Sequence, residues 1–235
     1  MICIKTGMAS EEAIAKTYAP KDAIVLSGVL DHAKLLPMEC KGIISFGLCG
    51  GLAPDAQIGQ AFIYDTIQVP AIYGAIRTPA SDIALPCDDE WRKNLFALTR
   101  YYECKCWSSG DFNTANTIAQ RAKLYRTTGC EVIDDESFAV AEFALRRGMK
   151  FIGLRVVSDG AEDNLPPAVM NALHSDGSAN IWAVIESLFT EPIDPLTKQL
   201  QIGELFKTIG EYEKSIAELR TAAIAISKSK DWGLS

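Results

Sequence analysis

The sequence is short of histidine, of clustered basic residues and of long apolar runs. Its 235 residues hold two histidines, His32 and His174. That leaves little for an imidazole-based metal centre or a Ser-His-Asp arrangement. Lys and Arg total 23 against 30 Asp and Glu, a formal net charge of −7. No basic cluster offsets this acidity, so nucleic acid and anionic membranes are excluded as expected partners. The longest apolar stretch, residues 42–53, is rich in glycine and ends at Pro54. It falls well short of the ~20 residues a membrane helix needs. The start, MICIKTGMASEE, lacks the basic and apolar regions of a secretory signal. The seven cysteines are odd in number and irregularly spaced, which suits reduced thiols and a cytoplasmic protein rather than a disulfide framework. Cys104-Lys105-Cys106 reads as one face of a strand, and no metal site is expected. No Gly-Lys-Ser/Thr follows the glycines at 47–51, which excludes a Walker A loop, and GLCGGL does not have the dinucleotide spacing.

What is present is an alternation of short apolar runs and helical patterns. Residues 2–4, 23–26, 42–46, 60–69 and 151–157 read as strands. Residues 10–18 read as a helix with Ser10 as N-cap, and 91–102 have helical spacing. The clearest helix spans 135–147: acids crowd its start, Arg146 and Arg147 lie in its last turn, and Gly148 follows. This alternation predicts a three-layer α/β/α fold around a central mixed, largely parallel twisted sheet. Beyond Pro192 and Pro195 the chain has helical spacing to about residue 227, with Gly203 and Gly210 arguing against one unbroken helix. The expected organisation is a catalytic domain at 1–190 and a helical extension at 191–235 packed on the same domain.

In open α/β sheets ligands gather beyond the C-terminal strand ends. Three segments are expected there: residues 7–12, the glycine-rich 47–51, and the start of the 135–147 helix together with Ser158-Asp159. Glycines after a strand let backbone N–H groups approach a ligand. Asp159 ends an apolar strand, where a semi-buried carboxyl can hold a proton for donation. Glu136 is placed to accept hydrogen bonds from a diol.

The chain resembles the nucleoside phosphorylase and nucleosidase superfamily, over roughly residues 1–190. Residues 47–63 (GLCGGLAPDAQIGQAFI) are similar to its glycine-rich segment, with Gly59-Gln60 at a Gly-Asp-like strand entry. Ser109-Gly110-Asp111 resembles the Ser-Gly-Asp of methylthioadenosine/S-adenosylhomocysteine nucleosidases. Asp134-Asp135-Glu136-Ser137 resembles their Glu-Met-Glu ribose motif, and Arg155-Val156-Val157-Ser158-Asp159 their Arg-x-x-Ser-Asp purine motif. One branch is more similar still, the hopanoid-associated nucleoside phosphorylases, thought to remove adenine from adenosylhopane. It shares a start like Thr6-Gly7-Met8, the Ser45-Phe46-Gly47 entry, and segments like Leu165-Pro166-Pro167-Ala168 and Asp176-Gly177.

The resemblance implies cleavage of the N-glycosidic bond of a purine nucleoside or adenosyl compound. Asp159 would protonate or hydrogen-bond the leaving base, and Ser158 would orient it. Glu136 would hold the ribose hydroxyls, and Glu11 or Glu12 would activate the nucleophile. Asp135, Phe112, Asn113, Gly47, Leu48, Cys49 and Gly50 would line the substrate. Asp135 stands where the family has methionine, and Asn113 where nucleosidases carry a stacking aromatic, with Phe112 adjacent. The positions that surround phosphate in bacterial phosphorylases correspond to Glu11, Ser45 and Leu48, a pocket that reads as lacking arginine. A carboxylate there would repel a phosphate dianion by ~1–4 kcal/mol at contact distance, which favours water. Phosphorolysis, with phosphate as co-substrate, and a nucleoside-binding protein without catalysis are the alternatives. No metal or organic cofactor is expected. The partner is a small-molecule nucleoside, and a homo-oligomer, most simply a dimer, is implied.

Overall fold

The structure is a computed structural model. It describes residues 1–28, 39–69, 72–73, 76–77, 83–108, 115–164 and 195–234; for 72–73, 76–77 and 195–206 it describes the backbone alone. The strands are β1 (Cys3–Thr6), β2 (Ile24–Ser27), β3 (Gly42–Gly51), β4 (Ala61–Val69), β5 (Ile72–Tyr73), β6 (Ile76–Arg77), β7 (Ile83–Pro86), β8 (Tyr102–Trp107), β9 (Val132–Ile133) and β10 (Lys150–Asp159). The helices are α1 (Ala9–Tyr18), α2 (Asp89–Thr99), α3 (Ile118–Thr128), α4 (Ser137–Arg146) and α5 (Pro195–Ser227).

The sheet is mixed and largely parallel, as the alternation predicts. β2, β1, β3 and β10 lie side by side, all parallel. β4 joins β10 antiparallel and carries β8 in parallel and β7 antiparallel. The two-residue β9 pairs with both β8 and the end of β3. The ring β3–β10–β4–β8–β9 therefore closes on itself, which periodicity did not foretell. β5 and β6 form a separate hairpin.

The central strands are buried because their sequences are apolar on both faces: Ile43, Ile44 and Phe46 of β3 and Ile152, Leu154, Val156 and Val157 of β10 are almost fully enclosed. β8 instead alternates, with Cys104 and Cys106 inside and Glu103 and Lys105 outward. All seven thiols are buried and free, and burial raises the pKa of each, Cys3 to about 12 and Cys130 to about 11. Among the described residues no His/Cys/Asp/Glu cluster suits a metal ion. Among them, too, no helix is long and apolar enough to cross a membrane.

Several boundaries differ from the expectation, each for a local reason. α1 begins one residue before Ser10, so Ser10 is inside the helix and its hydroxyl meets Tyr212 Oη of α5 at 2.7 Å. α2 starts at the Asp88 cap, whose carboxylate accepts from Trp91 N, and ends before the left-handed Arg100; Tyr102 already belongs to β8. α4 is shorter at its start because Asp134 accepts from the backbone N–H groups of Glu136 and Ser137, a side-chain cap outside the helix. The tail is one 33-residue helix through both Gly203 and Gly210. Each glycine costs ~1 kcal/mol of helix propensity, and the described contacts of the helix with the sheet lie beyond them, at 215–226. Leu219, Ala222, Ala223 and Ile226 are enclosed, and Ser215 Oγ donates to Val157 O of β10 at 2.8 Å. Beyond the helix, Trp232 packs on Phe46 at 5.4 Å between ring centroids and donates its indole N–H to Tyr18 O. These C-terminal residues share one core with β1, β3 and β10.

Candidate active site

The parallel order puts the C-terminal ends of β1, β3 and β10 at one edge of the sheet, beside the N-termini of α1 and α4. The segments at 7–12, 47–51 and 134–137 with 158–159 meet there. The glycine-rich segment is not a loop, however. β3 runs to Gly51, paired through Gly50 with Asp159 of β10 and Ile133 of β9. Its glycines make room for the protein's own acids. A Cβ on Gly47 would lie 2.4 Å from Glu11 Oε1, one on Gly50 3.0 Å from Asp159 Oδ2, and one on Gly7 within 2.0 Å of Glu136 Oε1.

Glu11 anchors one end of this edge. It is the third residue of α1 and reaches back to cap its own helix, Oε2 accepting from Gly7 N at 2.8 Å and Met8 N at 2.9 Å. Oε1 accepts from Leu48 N at 2.8 Å, so the same carboxylate ties α1 to β3. Glu11 is 1% exposed. Burial pushes its pKa up to about 7; Arg155 and the N–H donors oppose the rise, and Glu136 adds to it. Glu12 is placed elsewhere: half-buried, it pairs with Lys16 at 2.7 Å, one turn along the helix. Helical geometry turns adjacent residues ~100° apart, so one of the two faces the sheet and the other faces out.

Around Glu11 lies a buried ionic cluster. Arg155 Nη1 donates to Leu48 O at 3.0 Å, while Nη2 donates to Ser45 Oγ at 2.6 Å and Glu136 Oε2 at 3.0 Å. Burial works against its charge, but Asp134, Glu136 and Glu11 hold its pKa well above the usual value. Asp134 is itself saturated. Oδ2 accepts from Tyr64 Oη at 2.8 Å and Ser137 Oγ at 2.5 Å, and Oδ1 from two backbone N–H groups. Lys5 of β1 is also buried and donates to Thr6 O at 2.6 Å; burial lowers its pKa and Glu136 resists that shift. The expectation of a pocket lacking arginine is therefore corrected. Arg155 reaches Ser45 and Leu48 from the neighbouring strand, because β3 and β10 pair Gly47 with Arg155 directly.

Asp159 stands at the other end. Ser158 Oγ donates to its Oδ1 at 2.6 Å and lies 3.2 Å from Cys49 O. Arg121 Nη2 of α3 forms an ion pair with Oδ2. Asp135 is half-buried beside Glu136. The side chains of Leu48 and Cys49 point into the core; what they present at the edge is backbone. Phe112, Asn113 and the Ser109–Asp111 motif lie outside the described residues, as do residues 165–168 and 176–177 and both histidines. Lys5, Arg121 and Asp134 were not singled out from sequence as site residues. A lysine alternating with Cys3 and interrupting an apolar strand was the available signal for Lys5; Arg121 left none.

A family model described as the phosphorylase superfamily matches residues 4–186. The chain belongs to this superfamily. It is accordingly an enzyme acting on nucleosides. The solved structures agree on the fold of this superfamily member. Futalosine hydrolase of Helicobacter pylori is 15% identical with a TM-score of 0.59, over 68% of this chain and 85% of that one. A variant of the H. pylori methylthioadenosine/S-adenosylhomocysteine nucleosidase, with 5'-methylthioadenosine in its active site, is 13% identical with a TM-score of 0.59, over 79% and 96%. The nucleosidase of Colwellia psychrerythraea in complex with adenine is 14% identical with a TM-score of 0.55, over 68% and 83%. No curated protein matches the chain in sequence.

Proposed function

We propose that the protein hydrolyses the N-glycosidic bond of a purine nucleoside or adenosyl compound. The observation that carries the reading is Glu11, a buried carboxyl with its pKa raised to about 7 at one end of an edge that has Asp159 at the other. A base near the working pH is the most effective proton acceptor. Glu11 takes a proton from water, the oxygen attacks the anomeric carbon, and the carbon–nitrogen bond breaks with its electron pair leaving on the base. Asp159 passes a proton taken from solvent to that base, and Glu11 returns its own proton to solvent. Glu136 accepts hydrogen bonds from the ribose hydroxyls, held in place by Arg155. The adenine and methylthioadenosine of the solved nucleosidases suit this reading, and the resemblance adds adenosylhopane to the substrates worth testing.

Charge favours water as nucleophile. Among the described residues, the Glu11 end holds three carboxylates (Glu11, Asp134 and Glu136) against two cations (Lys5 and Arg155). A phosphate dianion would meet net repulsion there. Phosphorolysis is the second reading, and the observation in its favour is that Arg155 and Lys5 both approach this end. The test incubates purified protein with adenosine, methylthioadenosine, adenosylhomocysteine, inosine, uridine and adenosylhopane, with and without phosphate. Free base and free sugar without phosphate are expected. Ribose 1-phosphate as product would establish phosphorolysis, and no base from any substrate would overturn catalysis in favour of binding alone. The protein acts as a homo-oligomer, most simply a dimer, without metal or organic cofactor; sedimentation and metal analysis check these two points.

A further inference from the structure

Arg121 is a charged side chain with 1% of its surface exposed, outside every motif that carries the resemblance. Burying a guanidinium is unfavourable unless its donors are met. Here they are met by backbone from three segments, two of them remote in sequence. Nε donates to Ala115 O at 2.9 Å, just before α3. Nη1 lies 3.1 Å from Gly51 O at the end of β3, and 3.3 and 2.9 Å from Asp159 O and Gly160 O at the end of β10. Its direct ion-pair partner is the Asp159 carboxylate, reached by Nη2, with the Asp163 carboxylate near enough to feel its charge. A buried arginine serving only to join loops needs no bond to the group that faces the leaving base.

We propose that Arg121 is a positioning residue for Asp159, a role that rests on the reading of Asp159 above. It fixes Oδ2 from α3 while Ser158 fixes Oδ1 from β10. The planar fork also locks the carboxylate to the backbone of β3 and to the entry of α3. Each carboxylate oxygen keeps a further lone pair, which can carry the proton passed to the base. Arg121 touches no substrate and acts through Asp159.

The full-length chain with Arg121→Gln, Arg121→Lys, Asp159→Asn, or Arg121→Gln with Asp159→Asn is assayed on whichever nucleoside the wild type cleaves fastest, with folding followed by circular dichroism. Misplacing a reacting group by ~1 Å costs about 10²-fold. Arg121→Gln is expected to lose about that factor in kcat, with KM within about threefold of wild type. In the Asp159→Asn background it should cost no more than about threefold further, because coupled residues are non-additive. Arg121→Lys keeps the charge but not the fork, and should lose about tenfold in kcat. It carries the test if Arg121→Gln does not fold. A folded Arg121 variant with wild-type kcat, or losses that multiply in the double variant, would overturn the proposal while leaving the function standing. A wild type that releases no base overturns the function, and this role with it.

Discussion

The two ends of the active-site edge hold their carboxyl groups by different means. Glu11 is held by main chain: three backbone N–H groups, two from the residues just before α1 and one from β3, grip its two oxygens. Asp159 is held by side chains, Ser158 on one oxygen and Arg121 on the other. Main-chain donors persist whatever residue carries them, so the position of Glu11 depends on the fold and on the space left at Gly47. Side-chain donors vanish with one substitution, so the position of Asp159 is open to tuning residue by residue. The same contrast appears in burial. Glu11 is enclosed and its pKa rises accordingly, whereas the Asp159 side chain keeps 17% of its surface exposed.

The sharpest test of this comparison removes the acid at the main-chain end. Glu11→Gln should lower kcat by about 10²–10⁴-fold, the range of a missing general base. It also turns an amide N–H towards a backbone N–H, so a fall in thermal midpoint should accompany the lost rate. The wild-type pH profile supplies the matching prediction. Glu11 works as a base when deprotonated, so kcat/KM should decline as pH drops through about 7, not through the 4.5 of an ordinary glutamate. A limb near 4.5 would mean that the backbone donors outweigh burial.

The glycines compare the ends by crowding. Gly47→Ala places a Cβ 2.4 Å from Glu11 Oε1, and three N–H bonds, one on that oxygen and two on Oε2, leave the carboxylate nowhere to go. A loss of about 10²-fold in kcat is expected, with ~1–3 kcal/mol of stability. Gly50→Ala meets Asp159 Oδ2 at 3.0 Å, where a side-chain-held carboxylate can shift, so steady-state rates should fall less than about tenfold. Equal losses in the two variants would break the distinction. The smallest effect is expected from Ser158→Ala, which removes one of two donors on Asp159. A few-fold loss of kcat and about 1.5 kcal/mol in urea denaturation would fit one hydrogen bond to a carboxylate.

Much of the fold was legible in the sequence. α4 carried its polarity openly, with acids first, arginines last and Gly148 after, and β10 announced itself as an unbroken apolar run. The tail was harder to read, since Gly203 and Gly210 argue against a continuous helix, whereas the enclosed stretch that packs on the sheet lies further along, at 215–226. At the candidate site, the motifs singled out Glu136, Ser158 and Asp159 by type and spacing, and the structure brings all three to one edge of the sheet. They gave no sign that 47–51 also makes room for acids, because glycine spares space for a substrate and for a neighbouring carboxylate in the same way.

The sequence by itself determined the α/β alternation, the family resemblance and the set of acids from which the site is drawn. All of these are local: residue type, period and spacing along one chain. Only the tertiary structure decided between Glu11 and Glu12, brought Arg155 beside Ser45 and Leu48, and set Arg121 against Asp159. Each of those outcomes depends on strand register and helix rotation. Register joins residues more than a hundred positions apart, and electrostatics acts on distance in space, which no spacing along the chain records.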